Sequence, residues 1–408
     1  MAAARTIVVL ATLDTKGAEA DFIRKQLEAL GSGTLFIDIG VIGSPTIEPH
    51  LSREQVADAA GTSMEALLAN PTRQEASDIM VRGASALLQA LVAEGKVHGV
   101  IGLGGTQGTP NCTAIMRSLS YGFPKIMVST IASGDVGPFV DIKDVTMMFS
   151  VGDILGLNPL TRQILANAAG AAHGMAATHA SVKGVAGDRK VVGMTNLGVL
   201  TDGAMKAMAL LQERGYEVIV FHAVGSGGRA MEQLIREGVI HGVFDYAMGE
   251  ISDELFDGLR AADAHRLTVA GARGLPQVIC PGGAEHIGLL VEPNVVPDAW
   301  ADSKYVFHNP VIFAPRLSPE QLEQVGAEIG SRLESTTGPA VMMIPTRGVS
   351  RYSIKGGPLH DPASDDRFFA SLREHCPAQV EVVDVDAGAE DDAFVEACVE
   401  QLDAMMKR

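Results

Sequence analysis

The sequence has few of the residues that would indicate a metal cluster, a disulfide framework or a membrane anchor. Its 408 residues include four cysteines, Cys112, Cys280, Cys376 and Cys398, which are widely spaced and form no CxxC pair. We therefore expect neither a zinc site nor disulfides, and a reducing compartment. The apolar run near the N-terminus, residues 7–11 (IVVLA), is too short for a signal-peptide core, and no stretch reaches the roughly 18 apolar residues of a membrane span. A soluble cytoplasmic protein is expected.

Positive charge is also scarce. The chain has 32 lysines and arginines against 49 aspartates and glutamates, which gives a formal net charge of -17. Phosphates repel such a protein unless its few cations are concentrated locally, so broad surfaces for nucleic acid or for anionic membranes are not expected. A small anion in a locally cationic pocket stays compatible with this charge.

Several familiar catalytic motifs are absent. No GxxxxGK[ST], GxSxG, HExxH or kinase-type motif occurs, and the first strand-to-helix turn lacks GxGxxG, so a Walker-type ATPase and an NAD site are not expected. The spacing of His222, His286 and His308 fits no local metal-ligand motif, and we interpret these histidines as structural, with no metal site. No general acid or base can be named, so catalytic residues stay unknown.

Short β-branched runs alternate with helical patterns along the whole chain. Residues 6–11 (TIVVLA) have the pattern of a buried strand, and residues 18–31 form an amphipathic pattern that ends at a glycine. Strand and helix patterns in alternation are typical of parallel βαβ units. The sequence therefore predicts an α/β protein with two Rossmann-like parallel-sheet domains.

The second half repeats the pattern of the first. Gly31 and Gly215 follow matching helices about 184 positions apart, whereas residues 94–100 match residues 237–243 at a shift of 143. The difference of about 41 positions (184 − 143) indicates two related units, the first with inserted helices near residues 41–81. The predicted domains are residues 1–184 and 188–408. Residues 104–109 (GGTQGT) and 246–252 (YAMGEIS) should then follow equivalent strands, as should residues 129–135 (STIASGD) and 280–286 (CPGGAEH).

Loops after the strands of the first unit carry glycines, hydroxyls, one lysine and carboxylates. Backbone amides and hydroxyls suit a phosphate, and carboxylates suit ribose hydroxyls or Mg²⁺. In an open parallel sheet, ligands bind beyond the carboxyl ends of the strands. The alternative is that the glycines only permit tight turns. The candidate nucleotide-binding residues are Asp14, Thr15, Lys16, Asp38, Gly104, Gly105, Thr106, Gly108, Thr109, Ser129, Thr130, Ser133, Gly134 and Asp135.

The sequence predicts a second site, for an anion or a substrate. Residues 225–229 (GSGGR) place small residues and an arginine at a predicted helix N-terminus, which favours a phosphate or carboxylate through the helix dipole. Structural turns and a solvated cationic face are the alternatives. The candidate anion-binding residues are Gly225, Ser226, Gly227, Gly228, Arg229, Glu250, Gly282, Gly283 and Arg347.

The motifs in this order resemble a known family. Residues 10–23 (LATLDTKGAEADFI), 102–109 (GLGGTQGT), 122–136, 158–175, 221–245 and 270–285 are together similar to the ATP-binding domain of the tomato mosaic virus resistance protein and its uncharacterised bacterial relatives. The resemblance spans both units and implies a two-domain Rossmann-like architecture, ATP binding and a homodimer. The plant relatives continue into a TIM-barrel domain, which implies a separate TIM-barrel partner protein. Since the family lacks known ATPase motifs, hydrolysis stays open.

Three functions are compatible with these features. The first is a nucleotide-binding protein that uses ATP, with or without Mg²⁺, and modulates or works with a partner. The second is a metabolic enzyme for a small phosphorylated or carboxylate substrate, acting alone or with the TIM-barrel partner. The third is an interaction scaffold in which the glycine loops are structural.

Overall fold

A computed structural model describes residues 5–69, 72–181 and 189–408. The chain divides into two compact units, Met1–Val185 and Ala186–Arg408. The predicted boundary between residues 184 and 188 lies outside the described residues.

The first domain is built on a sheet of five parallel strands. Each central strand is apolar on both faces, as in a sheet that helices cover on both sides. The sheet order is β2-β1-β3-β4-β5. The strands are β1 (Thr6–Ala11), β2 (Gly33–Asp38), β3 (Gly99–Gly104), β4 (Lys125–Ser129) and β5 (Thr146–Phe149).

Helices cover both faces of this sheet. They are α1 (Leu13–Ala29), α2 (Arg53–Ala59), α3 (Met64–Ala69), α4 (Arg73–Ala93), α5 (Gly108–Arg117), α6 (Gly137–Val140) and α7 (Pro159–Ser181). Helices α1 and α7 share one core, while α2, α4 and α5 share the core on the other face. The predicted insertion near residues 41–81 contains α2, α3 and the first turns of α4. Capping boxes at Ser52 and Thr72 start α2 and α4.

Among the described helices, only α4 has the length and the apolar composition of a membrane span. Its apolar side chains Ala76, Met80, Ala84 and Leu88 are buried in the core of the first domain. The helix therefore has the contacts of a core helix in an α/β domain.

The second domain contains a sheet of six parallel strands and a small antiparallel sheet. The strands are β6 (Val191–Asn196), β7 (Glu217–His222), β8 (Gly242–Ala247), β9 (Gln277–Gly282), β10 (Leu289–Leu290), β11 (Tyr305–Asn309), β12 (Ile312–Pro315), β13 (Ala340–Pro345) and β14 (Glu381–Val385). The large sheet has the order β14-β13-β9-β8-β6-β7, and the small sheet has the order β10-β12-β11.

Seven helices accompany these strands in the described part of the second domain. They are α8 (Thr201–Glu213), α9 (Ser226–Arg236), α10 (Gly249–Leu255), α11 (Val269–Ala272), α12 (Pro319–Arg332), α13 (Pro362–His375) and α14 (Asp392–Met406). One face of the sheet packs against α8 and α14, and the other packs against α10, α12 and α13. The prediction of two parallel-sheet α/β domains is confirmed.

The two large sheets have the same strand order over four strands. The order β2-β1-β3-β4 in the first sheet corresponds to the order β7-β6-β8-β9 in the second. The predicted equivalence of the GGTQGT and YAMGEIS loops, and of the STIASGD and CPGGAEH loops, is confirmed. Matched histidines support the correspondence, because His98 Nδ1 accepts the Thr6 amide at 3.2 Å and His241 Nδ1 accepts the Val191 amide at 3.1 Å.

Candidate functional site

The carboxyl edge of the first sheet contains a topological switch point. Strands β1 and β3 are neighbours, yet the chain leaves β1 for α1 on one face and leaves β3 for α5 on the other. A crevice at such a point is the usual ligand site of a doubly wound sheet. Residues 12–16 lie on one side of this point and residues 104–109 lie on the other.

Part of the glycine loop is closely packed and has a structural role. A Cβ on Gly104 would lie 2.5 Å from the carbonyl carbon of Gly108, so the strand and the helix could not approach with larger residues. The Thr109 hydroxyl is buried and lies 2.7 Å from the Ser129 hydroxyl. This contact joins the loops after β3 and β4 beneath the surface.

Other residues of the same loops face open space. A Cβ on Gly105 would have the Thr130 hydroxyl at 3.4 Å as its nearest neighbour, and Thr106 is exposed. Gln107, the N-cap of α5, makes no side-chain cap hydrogen bond. The Gly108 amide therefore has no capping side chain and could donate to a phosphate, whereas Thr109 already donates to the Gly105 oxygen at 2.9 Å and Pro110 has no amide hydrogen.

The two candidate carboxylates near β1 and β2 have different environments. Asp38 is 1% exposed, and its Oδ1 accepts the Leu13 amide at 3.1 Å and the Gly40 amide at 2.9 Å. Burial raises the pKa of Asp38, although the two amides partly oppose the shift. Asp38 thus joins the two loops. Beside it, Asp14 is half-buried and Thr15 is exposed.

The remaining first-domain candidates lie around this edge. Lys16 Nζ donates to the backbone oxygen of Ile154, which joins α1 to the segment after β5. Asp135 Oδ1 accepts the Gly137 amide at 2.9 Å, so it stabilises its own turn. Ser133 and Gly134 are exposed in the same turn. None of these contacts tests ligand binding, and the assignment of these residues stays a prediction.

In the second domain, a carboxylate of the chain itself fills the predicted anion site. Glu250 Oε1 accepts the Gly225 amide at 2.6 Å and the Gly228 amide at 3.1 Å. A Cβ on Gly228 would lie 2.1 Å from Glu250 Oε2, and a Cβ on Gly227 would lie 1.8 Å from the backbone oxygen of His222. These glycines leave space for contacts within the protein. The geometry therefore favours the alternative that the glycines form a structural turn and do not bind a ligand.

Arg266 balances this buried carboxylate. Its guanidinium pairs with both oxygens of Asp245, at 2.5 and 2.6 Å, and with Glu250 at 2.7 Å. Glu232 lies 3.7 Å away, and burial raises its pKa to about 7. We call Arg266, Asp245, Glu250 and Glu232 the buried ion cluster. Sequence reasoning missed Arg266, because no motif marks an arginine in the connection between α10 and α11.

The other candidates of the second domain also have internal partners or packing roles. Arg229 Nε pairs with Asp263 at 3.2 Å, and the exposed Arg347 pairs with Asp386 at 2.6 Å. A Cβ on Gly282 would lie 2.2 Å from the backbone oxygen of Tyr246. Ser226 is exposed, and Gly283 adopts a φ of 67°. Their predicted role in binding an anion stays a prediction.

A different group of residues in this domain surrounds a cavity of about 300 Å³. It lies at the carboxyl edge of the large sheet, under the small antiparallel sheet. Its polar lining residues are His222, Arg260, His286, His308 and Tyr352. The three histidines interpreted as structural thus line one cavity, although the described residues contain no group of three or more ligands that could hold a metal ion. We call this the histidine cavity.

Comparison with known families identifies both halves of the chain. Residues 5–181 match the N-terminal domain of the Uncharacterised protein family (UPF0261), and residues 189–406 match its C-terminal domain. The chain belongs to the UPF0261 family.

Relatives of this UPF0261 chain occur in bacteria and in a plant. A UPF0261 protein of Clostridium tetani (strain Massachusetts / E88) is 37% identical over 409 residues, which cover 99% of the chain and 100% of the relative. The ToMV resistance protein Tm-1(GCR237) of Solanum lycopersicum is 30% identical over 311 residues, which cover 74% of the chain and 41% of the tomato protein. The resemblance predicted from the sequence is confirmed.

Solved structures resemble the UPF0261 chain only weakly. The UDP-GlcNAc 2-epimerase of Methanocaldococcus jannaschii, in complex with UDP-GlcNAc and UDP, is 8% identical and has a TM-score of 0.23. The alignment covers 99% of this chain and 93% of that one. A likeness at this level carries no inference about ligands of the UPF0261 chain.

The buried ion cluster predicts a large effect of removing its arginine. Arg266→Met should lower the free energy of unfolding by about 3–5 kcal/mol, because it leaves buried carboxylates without a cation. Urea denaturation measures this change. The control is Arg367→Met, which removes a half-exposed arginine paired with Glu320 and Glu323; its effect should be far smaller because water screens that pair. Equal losses would contradict the structural role of the cluster.

The pKa of Glu232 predicts a specific dependence of stability on pH. Its folded-state pKa is raised from 4.5 to about 7, so the stability it contributes is complete below pH 4.5 and is lost as the pH rises through 7. Relative to Glu232→Gln, which stays neutral, the wild type should lose up to about 3 kcal/mol over this range, at about 1.4 kcal/mol per pKa unit. Urea denaturation of both proteins at several pH values measures the difference. A constant difference would contradict the raised pKa.

Proposed function

We propose that the UPF0261 chain binds ATP at the carboxyl edge of the first sheet, between the loops at residues 12–16 and 104–109. The observation that carries this proposal is the open position of Gly105 beside the uncapped N-terminus of α5, at the β1/β3 switch point. A side chain at Gly105 would enter the space that a phosphate needs. The amides there supply hydrogen bonds and the helix dipole supplies a positive potential.

The proposed site divides its work among the candidate residues. The amides of residues 105–108 and the hydroxyls of Thr106 and Thr130 would hold the phosphates. Asp14 is partly exposed and would help to hold Mg²⁺, which usually takes one or two carboxylates together with substrate phosphates. Lys16 and Asp38 would position the loops through their contacts with Ile154, Leu13 and Gly40.

The contrast between the two domains supports the placement of ATP in the first. Helix α9 also begins in a glycine-rich loop, but there Glu250 accepts the Gly225 and Gly228 amides. A phosphate at α9 would have to displace a buried carboxylate and would meet its negative charge. At α5 neither obstacle is present among the described contacts, so the first domain is the better phosphate site.

We further propose that nucleotide binding modulates a partner in the cytoplasm. A homodimer and a separate TIM-barrel protein are the partners that the family resemblance implies, and resistance to ToMV belongs to the tomato relative by its name. The enzyme alternative, with a small phosphorylated or carboxylate substrate, is favoured by one observation, the histidine cavity of the second domain. The scaffold alternative predicts no response to nucleotide.

Substitution of Gly105 tests the nucleotide site. ATP with Mg²⁺ should raise the melting temperature of the wild type, because a ligand at 100 times its dissociation constant stabilises the folded state by about 2.7 kcal/mol. Gly105→Leu should abolish the shift, since the new side chain occupies the phosphate space. Differential scanning fluorimetry with and without Mg–ATP measures the effect.

Two control variants separate local from general effects. Gly170→Leu places the same side chain at an exposed position of α7 with no atom within 4 Å of the new Cβ, so it should keep the shift. Arg229→Ala should also keep it, because Arg229 lies in the second domain beside Asp263. If Mg–ATP still raised the melting temperature of Gly105→Leu, or no longer raised that of Arg229→Ala, the proposed location of ATP would be wrong.

A further inference from the structure

We propose that the histidine cavity of the second domain is a separate binding site for a small organic monocarboxylate. This inference goes beyond the nucleotide site and does not depend on it, since every lining residue lies in the second domain. It uses residues that have no role in the proposed ATP site. The position, the size and the wall chemistry of the cavity support it.

The position and size of the cavity suit a small ligand. Part of its wall comes from the carboxyl ends of β6, β7, β9 and β13 and the segments after them, where parallel sheets bind ligands. The connection after α10 and strands β11 and β12 supply the rest. A volume of about 300 Å³ is at the lower end of the range for ligand pockets, roughly 300–1,000 Å³. A compact molecule fits this space better than a nucleoside triphosphate.

Most of the wall is apolar. Such a surface favours the hydrocarbon part of a ligand, because burying it removes apolar area from water. The apolar side chains of the lining are Leu197, Val199, Val224, Leu259, Ile312 and Ala314.

Arg260 supplies the charge that a carboxylate requires. Two of its nitrogens donate hydrogen bonds to the Asp253 carboxylate, Nε at 2.9 Å and Nη2 at 2.8 Å. Nη1 makes a long contact of 3.5 Å with His286 Nε2, so it can donate to a ligand. No carboxylate side chain is among the lining residues. Because Asp253 already pairs with two nitrogens of the guanidinium, Nη1 is the donor left for a ligand, and a monoanion fits there better than the two charges of a phosphate monoester.

His286 connects the wall of the cavity to a buried carboxylate. The side chain is 3% exposed, its Nδ1 lies 3.2 Å from Glu285 Oε1, and its Nε2 lies 3.5 Å from Arg260 Nη1. The neighbouring Glu285 is fully buried, accepts the Ser350 hydroxyl and has an unpartnered Oε2. Burial alone would raise the pKa of Glu285, but His286, Ser350 and Arg316 lower it to about 2. Glu285 is not among the lining residues, whereas His286 and Arg260 are, so the contact between His286 Nε2 and Arg260 Nη1 is the polar part of the wall that a ligand carboxylate would meet.

Matched carboxylate and amide probes test the charge requirement. Benzoate and isovalerate, up to about 10 mM to reveal even millimolar affinity, should raise the melting temperature of the full chain. Benzamide and isovaleramide have the same shape without the charge, and should bind at least about tenfold more weakly, since a charge-assisted hydrogen bond is worth about 1.5–3 kcal/mol. Equal binding of acid and amide, or no binding of either carboxylate, would overturn the proposal.

Two variants test the location. Gly198 lines the cavity, and a Cβ there would meet the His308 ring at 3.9 Å without strain, so Gly198→Leu should fill the space and abolish carboxylate binding. Tyr352→Phe removes one hydroxyl and should weaken binding about fivefold. The control Gly170→Leu should retain wild-type affinity. Retained affinity in both cavity variants would overturn the location, and Tyr352→Phe decides the matter if Gly198→Leu does not fold.

The same variants separate this proposal from the nucleotide site. Gly105→Leu should lose the response to Mg–ATP and keep the response to benzoate, whereas Gly198→Leu should do the reverse. Loss of benzoate binding in Gly105→Leu would overturn the separate site. Absence of an ATP response in the wild type, with the benzoate response intact, would contradict the nucleotide proposal alone.

Discussion

Parallel pairing of the strands is the constraint on which both candidate sites depend. Within each domain it places every carboxyl end at one edge of the sheet, so loops that are far apart in sequence lie side by side. The order in which strands are added then fixes a switch point, between β1 and β3 in the first domain and between β6 and β8 in the second. The residues of the loops at these edges can vary without loss of the fold, because buried apolar cores stabilise the sheets themselves.

The two domains use equivalent edges differently. In the first, Gly105 and the start of α5 leave backbone donors facing open space. In the second, Glu250 occupies the amides at the start of α9, and Arg266 balances its charge. One edge therefore offers hydrogen-bond donors to an external anion, while the other has satisfied them internally. A repeated fold thus need not repeat a ligand site.

Much of the fold could be predicted because its signals are local. Alternating strand and helix patterns, and glycines such as Gly31 and Gly215 with φ of 85° and 91° after matched helices, mark the repeat directly. The contacts of the sites are not local. Glu250 lies 22 positions from Gly228, whose amide it accepts, and no spacing rule connects them. The convergence of His222, His286 and His308 depends likewise on strand order, which separate segments of sequence do not encode.

Hydrogen–deuterium exchange of the full chain with and without Mg–ATP tests the central claim most directly. If ATP lies at the first-domain switch point, amides of residues 12–16 and 104–109 should exchange more slowly in its presence, because ligand contacts and reduced local opening protect them. Residues 225–229 should exchange at an unchanged rate, since Glu250 already holds the Gly225 and Gly228 amides. Protection confined to residues 225–229, with none at residues 104–109, would contradict the account.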